Sequence, residues 1–187
     1  YLYVIGSVEY QDANDGSVPA WGRNDLIILD LVSNPENPEI IGSWNGDYLH
    51  DVCIHEDILY GCGIETHRMY AFNISDKTNP QKITEWSGVP SAHACWVSED
   101  GNTLFTGSET TNGHIMSWDV MDLGNVNLID EWLPPNGENW STHNLFVKGN
   151  YLYSSYYVYG LQILDISDPS SMENIAYYDT YDETSGS

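Results

Sequence analysis

The stretch STHNLFVKGNYLY, residues 141–153, sets a histidine ahead of an alternating apolar run, a Gly-Asn pair and a second run. Two short runs joined by two turn residues predict a hairpin. The pattern recurs: His93 leads HACWVSEDGNTLFTG, and His50 leads HDVCIHEDILYGCG. Each copy continues into a second pair of runs, from Gly160, Gly113 and His67. A fourth copy, lacking its beginning, starts as YLYVIG at Tyr1 and resumes as DLIILDLVSNPENPEIIGSW from Asp25. The third run closes at Asp30, Asn73, Asp119 and Asp165, and the fourth at Trp44, Trp86, Trp132 and Tyr178. A period of about 45 residues holding four short strands predicts an all-β chain, a β-propeller of four-stranded antiparallel blades. The units fall at 1–46, 47–88, 89–138 and 139–187, and read as part of a larger ring.

Periodicity within each unit agrees. Val, Ile, Leu, Tyr and Trp fill runs bounded by Gly, Asn, Asp and Pro, and no long stretch has a 3.6-residue stripe. DISDPSS and VSNPENP join third runs to fourth through Asx and Pro chemistry, which presets turn dihedrals. Asp30, Asp119 and Asp165 therefore read as turn-formers, not as catalytic carboxylates.

LIILDLVSNPENP (26–38) and LQILDISDP (161–169) resemble the LVIVD repeat. The ordered series HDVCI, SAHACWVSEDG, HNLFVKGNYLY, GLQILDISDP and YYDTYDE is similar to the choice-of-anchor B family of secreted, surface-attached bacterial proteins. That resemblance runs from about Asp25 to the end. It implies a propeller at the cell exterior, held by an interchangeable C-terminal anchor, and it implies no particular activity. Asn73 replaces the usual strand-closing Asp, and VMDLGN (120–125) lacks the turn proline. Both departures keep a turn-competent residue. Because the chain starts inside a unit and ends in DETSGS, it is expected to be a piece of a longer protein, completed by further blades or a partner chain.

Five Lys and Arg against 28 Asp and Glu give a formal net charge of −23. Binding a phosphate backbone relies on cationic side chains, so nucleic acid is excluded as a partner. An anionic membrane surface is disfavoured by the same repulsion, and no direct membrane insertion is expected of this segment. Carboxylates are hard ligands, so calcium is a conceivable cofactor, although no complete calcium loop motif is present.

Cys53 and Cys62 fall in the first and second strands of one unit, where export invites a disulfide. Their register makes them diagonal neighbours, about 7 to 8 Å apart, further than a disulfide wants. Two free buried thiols are expected, with a disulfide formed through a bulge or shifted register as the alternative. Cys95 reads as a small core residue without a partner.

Antiparallel strands alternate in direction. The start of each first strand, the loop from second to third strand and the connector between units therefore share one face. That face collects His50, His93 and His143, each at the entry of an innermost strand. It also collects the loop at 7–24, with Asp12, Asp15 and Trp21, and the connector at 133–142, with Trp140. Loops with this composition are where binding usually resides. Three imidazoles near one axis are a candidate site for Zn, Cu or Fe, with Asp51 and Asn144 beside them as outer-shell groups. A competing reading has each histidine donate a hydrogen bond to the backbone of the next blade. The Tyr151, Tyr153, Tyr156, Tyr157 and Tyr159 run fits either stacking on sugar rings or filling the wedge between blades. His55, His67 and His114 read as surface or strand-start residues. The sequence predicts a binding or scaffold module for a protein or carbohydrate ligand, acting through its loop-rich face. The alternative is a metal-dependent hydrolase, lyase or oxidase with His50, His93 and His143 as ligands.

Overall fold

The computed structural model describes residues 1–7, 24–137 and 139–180. Among them fifteen strands form four antiparallel sheets. The first sheet holds β1 (Leu2–Ser7), β2 (Asn24–Asp30) and β3 (Glu39–Trp44). The second holds β4 (Asp51–His55), β5 (Ile58–Gly63), β6 (Arg68–Asn73) and β7 (Gln81–Ser87). The third holds β8 (Ala92–Val97), β9 (Thr103–Ser108), β10 (Ile115–Asp119) and β11 (Asn127–Trp132). The fourth holds β12 (Leu145–Lys148), β13 (Tyr151–Ser155), β14 (Leu161–Asp165) and β15 (Glu173–Tyr178), with one 3-10 turn at Tyr157–Tyr159. Each sheet is a meander in sequence order. No helix among the described residues is long and apolar enough to cross a membrane.

One turn device repeats in every unit. The side-chain oxygen of Asp30, Asn73, Asp119 or Asp165 accepts the backbone N–H two residues on, at 2.8 to 3.0 Å. This Asx-turn reverses the chain after the third strand. At Asp165 the Ser167 amide favours the charged form and holds the carboxyl below its ordinary range. A second device is not visible in the sequence pattern. In all four sheets the register between third and fourth strand slips by one residue, leaving Ile41, Ile83, Ile129 and Ile175 unpaired as bulges. A bulge bends its strand and strengthens the local twist.

The core lies between sheets. Leu26, Leu49, Leu59, Phe72 and Ile74 fill the first interface, sealed by Trp44. Trp86 and Trp118, 6.2 Å apart, pack in the second. Phe105, Ile115, Leu145, Leu152 and Leu164 fill the third, with Trp132 at the side. Trp44, Trp86 and Trp132 thus do the same job in successive units. Tyr178, their counterpart in the fourth sheet, is exposed. Neighbouring sheets approach through their first strands, with β8 lying against both β4 and β12.

The thiols lie in the second interface. Cys53 pairs with Tyr60, and Cys62 with Asp51, so Cys53 and Cys62 are diagonal neighbours on one face. Both are free and buried. Burial, first of all, pushes both thiols well up from their ordinary range. Cys95 is not the partnerless core residue that the sequence suggested. It projects from β8 onto that face, brings its sulfur within 4.8 Å of the Cys62 sulfur, and points that sulfur at the Tyr60 carbonyl oxygen, 3.8 Å away. Reading one unit at a time hides a contact made between units.

Phe105 is 1% exposed, and truncating it to alanine removes the ring that fills the third interface. Phe105→Ala is expected to cost about 3 to 5 kcal/mol in urea unfolding. Met121→Ala, at an exposed turn position, should change stability by no more than about 0.5 kcal/mol.

Candidate functional site

The histidines leading β4, β8 and β12 converge. The ring centroids of His50 and His93 are 4.4 Å apart, and those of His93 and His143 are 4.3 Å apart. Adjacent sheets stack along their first strands, so equivalent residues at the strand entries become neighbours across the interfaces. His93, in the middle, is 5% exposed.

Glu109, from the turn that follows β9, closes the group. Its carboxylate oxygens lie 3.4 Å from His93 Nε2 and 3.8 Å from His143 Nε2. Sequence reasoning did not single it out. Its only signal is its place in a second-to-third-strand loop, on the face already inferred to hold the histidines. Tyr157 donates its hydroxyl proton to Glu109 Oε1, and its ring stands edge-on to His143 at 5.5 Å. Tyr157 also holds a φ of 35°, in a region that favours glycine. Backbone in sparsely populated regions concentrates at functional sites.

One ligand-type atom each from His50, His93 and Glu109 lies within 4.8 Å of the other two. His93 Nδ1 lies 3.1 Å from the backbone carbonyl oxygen of His143. A carbonyl only accepts, so this contact assigns the proton to Nδ1 and leaves Nε2 with its lone pair toward Glu109. At His93 one nitrogen bonds the backbone of the next sheet, and the other faces the shared centre. Burial is the largest influence on this imidazole and holds its pKa below the ordinary value. Glu109 pulls the other way, while His143 and His50 push it further down. Tyr48 places its hydroxyl 3.4 Å from His50 Nδ1.

The other sequence candidates are placed differently. Asp51 does not support His50. Strand alternation turns its side chain to the opposite face, where Oδ2 accepts the Cys95 N–H at 3.1 Å. Burial, and then the nearby Cys95, raise its carboxyl to about 7. Asn144 is exposed, and its backbone bonds to Ser155. Trp140, 41% exposed, shares a cavity of about 370 Å³ with Glu109 and Tyr157. It also borders a larger cavity of about 550 Å³ with Pro134, Tyr159 and Tyr177. That larger space lies off the imidazoles; the smaller one reaches Glu109, and a third cavity of about 300 Å³ is bordered by His143 and Tyr157. Asp12, Asp15 and Trp21 lie outside the described residues. Within the tyrosine run, Tyr156 is fully buried and donates to the Gly113 carbonyl oxygen at 2.6 Å. Wedge-filling therefore describes Tyr156, and site contact describes Tyr157. His67 Nδ1 accepts the Ser91 N–H at 2.7 Å, and His114 Nδ1 lies 3.0 Å from Glu131.

Solved structures share the fold. A Lactobacillus plantarum protein superposes with a TM-score of 0.70 at 14% identity, over 83% of this chain and 51% of that one. The Swd1 beta-propeller domain of Myceliophteria thermophila gives 0.63 at 12% identity, over 84% and 54%. The fold is a β-propeller. The LVIVD repeat matches residues 20–46 and 141–180, the segments that hold β2, β3 and the whole fourth sheet. An uncharacterized protein of Archaeoglobus fulgidus is 32% identical over 57% of this chain, which spans 19% of that relative. The chain also spans about half the length of the two propellers named.

Replacing Glu109 by glutamine removes the one charge that favours the protonated imidazole of His93. In chelator-treated Glu109→Gln protein, the His93 ring signals in an NMR pH titration should shift at lower pH than in the parent. A shift to higher pH would contradict the geometry.

Proposed function

We propose that the protein is an exported β-propeller that binds its ligand at the histidine-bearing end of the central opening, with a transition-metal ion at the centre of that surface. The observation behind this reading is the meeting of two acceptors. The His93 Nε2 lone pair faces Glu109 Oε2 at 3.4 Å, with His50 alongside. Two acceptors repel unless a cation lies between them. Burial of His93 disfavours a proton there, whereas a metal ion satisfies both atoms. Two imidazoles and a carboxylate suit zinc or iron, and copper is also compatible. Imidazole donors weigh against calcium, which prefers oxygen.

Three protein donors leave coordination positions free for an oxygen of the ligand. The cavity beside Glu109, with Trp140 and Tyr157 on its wall, gives that ligand an aromatic platform. This suits a carbohydrate or a protein side chain. Placement at the cell exterior is supported by the choice-of-anchor B resemblance and by the charge of −23. Metal-dependent catalysis, as hydrolase, lyase or oxidase, is a second reading. The hydrogen bond from Tyr157 to Glu109 favours it, because it places a proton-bearing group next to a residue that would hold the ion.

Elemental analysis of the purified protein should find bound transition metal whose content falls in folded His93→Ala and Glu109→Gln variants. Protein that carries no metal after growth and dialysis in zinc or iron, yet still binds its ligand, would sink the metal-centred reading.

A further inference from the structure

The second sheet interface holds another group of ligand-type side chains, independent of the imidazoles. Asp51 and Cys53 on β4 and Cys62 on β5 share one face of the second sheet. Cys95 meets them from β8 of the third. We propose that Cys62, Cys95 and Asp51 form a buried site for a thiophilic divalent ion of the zinc class, with Cys53 beside it on the same face.

Ligand atoms of Asp51, Cys62 and Cys95 all lie within 4.8 Å of one another. Tetrahedral zinc with Zn–S bonds of about 2.3 Å needs sulfurs about 3.8 Å apart, so small side-chain rotations close the set. Cys53 lies on the same face and shares a buried cluster with Cys95. The second observation is the carboxylate. Asp51 is half-buried, accepts the Cys95 amide, and has no ion pair among the described residues. A partly buried carboxylate without a cation is costly, and a metal ion gives it a directly bonded cation. A soft thiolate pair selects zinc-class ions over calcium or magnesium.

The charges and atoms balance simply. The ion enters as M²⁺, Cys62 and Cys95 each release a proton to solvent, and Asp51 binds as the carboxylate. No oxidant or reductant is needed. Cys53 is 8% exposed and borders a surface groove of about 360 Å³ between Val52 and Trp96, which provides an entry route. An ion here would tie the second sheet to the third, so metal binding would also stabilise the fold.

The test uses cobalt(II) as a zinc probe on reduced, chelator-treated protein. Binding at this site gives a sulfur-to-cobalt charge-transfer band and the visible bands of a tetrahedral ion. A site of imidazole and carboxylate gives no sulfur band. The sulfur band should survive His93→Ala, weaken in Cys62→Ser, and be bleached by one equivalent of zinc. If Cys62→Ser fails to fold by circular dichroism, thiol alkylation of the parent decides, since zinc should slow labelling of Cys62 and Cys95 at least tenfold. Folded parent protein with no sulfur band would overturn the proposal. So would a band of undiminished intensity in Cys62→Ser, or a disulfide among the three cysteines in protein purified without reductant.

Discussion

Everything in this molecule depends on sheets stacking face to face along their first strands. A single four-stranded meander has two apolar faces and cannot bury both alone. Leu59 of the second sheet packs in the first interface, while its neighbour Tyr60 packs in the second. That alternation lets one strand glue two interfaces at once. The tryptophans at the end of the fourth strands fill the wider, outer part of each wedge. The bulged isoleucines bend those same strands where the wedge opens.

Stacking also decides the chemistry. Residues at equivalent positions in consecutive repeats are 43 and 50 apart in sequence for the three histidines, yet they become ring-to-ring neighbours. A repeated residue at a strand entry is therefore multiplied into a cluster without any local motif. The loops that share that end add what the repeat lacks: Glu109 from the third unit and Tyr157 from the fourth. Strand alternation then separates the molecule's two groups of candidate ligands. His50 faces the shared centre, and Asp51, one residue on, faces the thiols.

Charge follows the same division. Most of the 28 acidic residues serve the solvated surface and the turns. Asp30, Asp76, Asp100, Asp165 and Asp168 are each held below the ordinary carboxylate range by local hydrogen bonds. Asp51 goes the other way because burial dominates. The carboxylates with a chemical role to offer are the few that the stacking removes from water.

The sequence by itself determined the period, the strand content, the turn chemistry and the end of the molecule on which the histidines gather. These are properties of one repeat, set by local sterics and hydrogen bonding, and a repeat shows them wherever it sits. Tertiary structure alone decided which side chains meet. Glu109 joins His93, Cys95 joins Cys53 and Cys62, and Asp51 leaves His50, because those contacts depend on the distance and rotation between sheets. Such quantities come from packing across an interface, and a linear pattern within one repeat carries no trace of them.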